Sequence, residues 1–191
     1  LRRRPRCPND VLTSVAACSS RRPQIWCDTR GVSERRIRIE RMFEDALEVR
    51  DRLAALVDRL DPEAVSGSAA RELWAVLDAS ERLCAAGKTL LARRVAQTHR
   101  PETAGAKTAA EHLARKAGTS TGVATDALDT SARLPRRPAV EQALRRGELS
   151  AAQAAVVSAA AAADPAAEAR LVELAPRVSV PELREECARV K

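Results

Sequence analysis

Alanine is the principal apolar residue of this chain, and that fact alone narrows the folds open to it. Thirty-nine of the 191 residues are alanine, against two tryptophans, one phenylalanine and no tyrosine. Alanine has the highest helix propensity, whereas a sandwich or barrel needs β-branched and aromatic residues punctuated by tight turns. Only seven glycines are present to make such turns. The expectation is an all-α helical bundle, in which a long antiparallel helix pair precedes shorter helices. Alanine side chains gain little by area, at about 25 cal/mol per Å². Close backbone approach must therefore supply the packing, and modest stability is expected. No run of 18 or more apolar residues occurs, so no membrane-spanning helix is expected.

Periodicity places the helices. Ala46, Val49, Leu53, Leu56, Val57 and Leu60 recur at three and four, which predicts a helix over about 35–60 with one buried stripe. Asp61-Pro62 closes it. A second, longer helix is predicted over about 68–98. Its residues Val76, Leu83 and Leu90, and beside them Leu77, Cys84 and Leu91, repeat at seven. Such a seam packs a long helix lengthwise, either on the first helix or across a homodimer. Gly87, beside Ala85 and Ala86, reads as a point of close helix approach. A loop, 99–106, precedes helices over 108–117 and 120–134, with Thr108 and Glu111 as a capping box and Gly118-Thr119 between them. Pro135 and Pro138 mark a break. A short helix over 139–146 ends at Gly147. Ser150 caps a helix holding the run Ala159–Ala163, Asp164-Pro165 starts another, and Ser179 with Glu182 begins a last one that runs to Lys191.

Residues 1–41 carry 11 basic and four acidic side chains, which is the whole net charge of +7. Three readings of this stretch stand: a basic arm for nucleic acid, a secretion signal around Val15-Ala16-Ala17-Cys18, and a tail outside the fold upstream of a start at Met42. Cys7, Cys18 and Cys27 lack metal-like spacing. Cys84 and Cys187 sit on apolar helix faces and read as buried free thiols. Nothing asks for an oxidising compartment, and a cytoplasmic protein is expected.

Catalytic chemistry is thin. His99 and His112 lie thirteen apart with no partner at metal-ligand spacing, and His112 reads as a half-exposed helix residue. Gly87-Lys88-Thr89 lacks the upstream glycine of a phosphate loop, and no G-x-S-x-G occurs. No catalytic residue, cofactor, metal or small-molecule substrate is expected.

The informative feature is charge layout. Residues 88–146 hold twelve basic and five acidic groups. Their basic members are Lys88, Arg93, Arg94, Arg100, Lys107, Arg115, Lys116, Arg133, Arg136, Arg137, Arg145 and Arg146. Such a zone attracts phosphate, and DNA is the expected partner; it equally suits the acidic first helix. Within it, Leu113, Ala114, Ala117 and Gly118 have the spacing of a helix-turn-helix, with Ala124, Ala127 and Leu128 facing inward from its second helix. Two departures count against a DNA reader. Thr119 stands where a larger apolar residue is usual. The second helix carries Asp126 and Asp129 against Arg133 alone.

Four segments follow in order: LLARRVAQ, KTAAEHLARKAGTSTGVATDALDTSARL, RRGELSAAQAAVVSAAAAADP and LREECARVK. They resemble the actinobacterial 13E12 repeat family, or domain of unknown function 222, from about Met42 to Lys191. That resemblance implies a helical domain that commonly precedes an HNH endonuclease domain. The clustered His and Asn of such a nuclease do not occur here, so nuclease activity is not carried over. The expectation is a non-catalytic accessory domain over 42–191, truncated before any HNH domain and associating with DNA. The alternative is a protein-interaction or dimerisation module with no nucleic-acid role.

Overall fold

A computed structural model describes residues 29–190. The readings placed on Cys7, Cys18 and Cys27, and on the arginines ahead of Thr29, lie outside the described residues. All regular structure among the described residues is helical, as the alanine content predicts. The chain divides into two units, residues 1–60 and 61–191. No described helix is long and apolar enough to cross a membrane.

The first unit contributes helix α1, Thr29–Asp58. It starts earlier than the three-and-four spacing of its apolar residues indicates. The expected buried stripe is not formed: Ala46, Val49, Val57 and Leu60 are exposed, and only Leu53 and Leu56 are half-buried.

The second unit begins with α2, Gly67–Thr98, whose N-cap Ser66 accepts from the Ala69 N–H. Its buried residues are Ala86, Thr89 and Ala92, a stripe three apart that differs from the predicted seam. Leu77 and Leu90 are half-buried, while Val76, Leu83, Cys84 and Leu91 are exposed. Cys84 is thus an exposed thiol, contrary to its expected burial. A Cβ on Gly87 would meet nothing within 4 Å, so Gly87 is not a point of close approach; Ala86 is. The seven-residue repeat misled because α2 buries its small residues and leaves its large ones outside.

The expected loop contains one turn of helix, α3 (Pro101–Ala104), set by Pro101 at its first position and ended by Gly105 at φ 63°. Helix α4 (Ala109–Ala117) is capped by Thr108, whose hydroxyl accepts from the Glu111 N–H. The Glu111 carboxylate accepts from Lys107 N–H at 2.9 Å, so the reciprocal bond falls one residue earlier than a capping box places it. Gly118 turns the chain at φ 64° into α5 (Thr121–Arg133), capped by Ser120. A 3₁₀ turn, Leu134–Arg136, leads to α6 (Pro138–Arg145).

Gly147 follows α6 at φ 71°. A Cβ there would lie 3.1 Å from Leu83 Cδ2 and 3.3 Å from its Cγ. Gly147→Ala should cost about 1–2 kcal/mol from the left-handed backbone, since the half-exposed Leu83 side chain can yield. A urea midpoint lowered to that extent, with an unchanged slope, checks it.

Helix α7 (Ala151–Ala163) has the complete capping box of Ser150 and Gln153. It is the central helix, packed against α5, α6 and the two helices that follow, α8 (Glu168–Leu174) and α9 (Val180–Ala188). Ala154, Val157, Ser158, Ala160 and Ala161 are buried on it. Alanine here lets several helices approach one axis, and larger side chains from the periphery fill the space: Leu134, Val140, Leu144, Leu149, Leu171 and Leu183. Cys187 is buried as predicted. Helix α9 ends at Ala188 rather than running to Lys191.

Candidate nucleic-acid interface

The C-terminal half of α2 places Leu90, Arg93, Arg94 and Gln97 along one helix face, at three- and four-residue intervals. Facing them are the 3₁₀ turn and α6. Together these elements line a groove of about 330 Å³ that includes Leu90, Arg93, Arg94, Gln97, Ser131, Leu134, Pro135, Glu141 and Arg145. The buried Ser131 hydroxyl accepts from the Arg93 N–H at 3.1 Å, tying α5 to this part of α2. Leu134 is buried beneath. The groove therefore has a rigid floor, with three arginines from positions 52 residues apart at its rim.

The arginines differ in what holds them. Arg145 donates through Nε and Nη2 to Glu141 Oε1 at 2.9 and 2.7 Å, an i,i+4 pair on α6. Arg94 makes only a long contact with Gln97, at 3.4 Å. Among the described residues, no carboxylate pairs with Arg93 or Arg94, which leaves two guanidinium groups able to fork onto phosphate oxygens. Lys88, Lys107, Lys116 and Arg136 are likewise exposed without an ion pair among the described residues.

The remaining predicted residues do not converge on this groove. Arg115 is drawn to Glu111 (3.0 Å) and donates to the Gly105 carbonyl (2.7 Å). Arg146 forks onto Glu148 at 2.7 and 3.0 Å. This contact raises the guanidinium pKa and holds the Glu148 carboxyl below its usual range, chiefly through the shared hydrogen bond. Arg137 folds back to donate to the Arg136 carbonyl at 3.0 Å. Arg100 lies at the C-terminal end of α2, ahead of α3. Arg133 pairs with Asp129 at 3.5 Å and lies in a different groove, of about 570 Å³, formed by α5, α7 and α9. Alanines supply six of its fourteen lining residues, and Asp126, Asp129, Arg133 and Arg184 give it mixed charge. The first helix, expected to be acidic, carries seven basic and seven acidic side chains over Thr29–Asp58, while α4 and α6 supply carboxylates of their own to Arg115 and Arg145.

The helix-turn-helix spacing does produce two packed helices. Ala114 and Ala124 are buried and Leu113, Ala127 and Leu128 half-buried, but Ala117 is exposed. Helix α5 also packs on α2 and α7, and its exposed face offers Val123, Asp126 and Asp129. A recognition helix needs a free basic face; α5 has an acidic one. Gln97, Ser131 and Glu141 were not singled out in the sequence, and Pro135 only as a helix break. The Leu90/Arg93/Arg94/Gln97 spacing was the available signal for the first of them.

His99 and His112 come together, ring centroids 5.5 Å apart, with His99 Nε2 3.1 Å from the Ala106 carbonyl. His112 is half-exposed as expected. Among the described residues no group of three or more His, Cys, Asp and Glu side chains is placed to hold a metal ion.

In comparisons with known proteins no family model matches the chain, and no curated protein or solved structure matches it either.

Proposed function

We propose that this chain is a non-catalytic helical accessory domain of the 13E12 repeat type, belonging to an HNH-endonuclease-type protein of the cytoplasm, and that it associates with DNA. The four ordered segments quoted above support the family reading. The observation that carries DNA association is the groove between α2 and α6, where Arg93 and Arg94 stand exposed with no carboxylate partner. Contact is with the phosphate backbone: α5, the second helix of the helix-turn-helix spacing, presents Asp126 and Asp129 rather than a basic face, so sequence preference is weak.

Titrating labelled duplex DNA with the full chain at low and at physiological salt tests this. Binding should be strongest at low salt, where counterion release contributes most. Arg93→Ala with Arg94→Ala should weaken it about tenfold or more and reduce the magnitude of the log–log salt slope by about two. No binding at low salt, or an unchanged slope in the double variant, refutes the groove.

A second reading, a protein-interaction module without a nucleic-acid role, is favoured by the large apolar side chains that α2 leaves outside. Val76 is 61% exposed, Leu83 50% and Leu91 60%, and their spacing of seven and eight keeps them on one side of the helix. Isolated exposed apolar residues are normal, but a row of them on one helix marks a contact surface.

A further inference from the structure

We infer that α1 is a dimerisation helix and that the surface covering it is α1 of a second copy of this chain. Ile39, Met42, Ala46, Val49, Leu53 and Leu56 follow one another at intervals of three, four, three, four and three. That alternation is the a/d pattern of a coiled coil, with Ile39, Ala46 and Leu53 at a and Met42, Val49 and Leu56 at d. Six consecutive a/d positions, Ile39 to Leu56, lie on the helix, and Leu60 falls beyond its end at Asp58. An ordinary core-facing helix needs a broader and less regular stripe.

The seam is largely open. Met42 is 63% exposed, and Ile39, Val49 and Ala46 are exposed with it. Phe43, at the flanking e position, is 68% exposed. Apolar exposure on this scale along one helix calls for a cover.

The charges flanking the seam identify the cover as the same helix. Asp45 occupies g; Arg50 and Arg52 occupy e and g one heptad on. In a parallel pair, g faces e of the following heptad, which sets Asp45 against Arg50 of the second copy. In an antiparallel pair, g faces g, and Ile39 layers on Leu56, Met42 on Leu53 and Ala46 on Val49. That sets Asp45 against Arg52 but also Arg38 against Arg59, a like-charge pair that favours the parallel direction. Either direction places opposite charges across the seam twice, once on each side of the two-fold axis. Within one copy these arginines have only short-range partners, Arg50 with Asp51 at 2.7 Å and Arg52 with Glu48 at 2.6 Å. Both pairs are exposed and readily exchanged. This inference does not depend on DNA association, and it places dimerisation on α1 rather than on the seven-residue repeat of α2.

Sedimentation equilibrium of the full chain across micromolar concentrations tests it, with circular dichroism on every variant. A monomer–dimer equilibrium is expected. Met42→Glu with Val49→Glu should abolish it while the helical signal of the second unit remains. Asp45→Arg changes only an exposed surface side chain, so it leaves the fold intact; it should weaken dimerisation about fivefold or more, and adding Arg50→Asp and Arg52→Asp should restore it. A strict monomer overturns the proposal. So does a dimer that ignores all these changes and is lost on Leu83→Glu in α2.

Discussion

Leu144→Ala is expected to lower the unfolding free energy by about 4 kcal/mol, near the top of the range for truncating a buried leucine. Leu144 lies on α6 and is fully buried in the main cluster. The same cluster contains Ala143, Ala154 and Ala160. Alanine has no rotamer with which to reach into a cavity, so the vacated space stays open, and the cavity cost adds to the lost transfer energy. Cores rich in leucine or methionine relax more. Urea unfolding should show a reduced midpoint with unchanged slope. Leu91→Ala, removing the same atoms from an exposed site on α2, should shift stability by less than about 0.5 kcal/mol. Equal effects at the two positions would contradict the burial pattern described above.

That contrast locates what was legible in the sequence. Several helix starts were clear because capping is a local matter: Thr108, Ser150 and Ser179 each stand at one as expected, and Gly118 and Gly147 mark stops with positive φ. The start of α1 and the end of α9 were not. Which face of each helix is buried was less clear. In α2 the large residues suggested a seam, yet the helix buries Ala86, Thr89 and Ala92. Where alanine is the packing residue, hydrophobicity and burial separate: a small side chain is buried because it lets another helix approach. Cys84 and Gly87 were misread for this reason. In α7 the same rule made the alanine run look like featureless helix, although it is the axis of the second unit.

The site was legible in part. Charge counting found the basic zone, and Arg93, Arg94 and Arg145 within it. Charge counting ignores pairing, so Arg115 and Arg146 counted as available although Glu111 and Glu148, four and two residues away, hold them. The groove itself joins α2 to α6 through a tertiary contact, and no local pattern announces it.

Glu168→Ala is the second large effect expected, about 3 kcal/mol, and it arises from a residue that was not singled out in the sequence. Glu168 opens α8 and is 8% exposed. Its Oε1 accepts the N–H groups of Ala139 (2.8 Å) and Val140 (3.1 Å), in the first turn of α6. That turn has no cap of its own: Pro138 carries no N–H, and Arg137 offers no side-chain hydrogen bond to it. A carboxylate from 28 residues downstream therefore serves as the N-cap, where the helix dipole also favours negative charge. Truncation leaves two donors without an acceptor in a part-buried setting, and bonds to charged acceptors are worth about 1.5–3 kcal/mol each before such a penalty. Glu168→Gln keeps an acceptor oxygen in reach and should cost only about 1 kcal/mol. Hydrogen exchange distinguishes this from a general loosening, because Ala139 and Val140 should lose protection ahead of the α7 amides. Since α6 carries Arg145 and one wall of the basic groove, Glu168→Ala should also weaken the DNA binding proposed above under conditions where the chain remains folded, whereas Leu91→Ala should not.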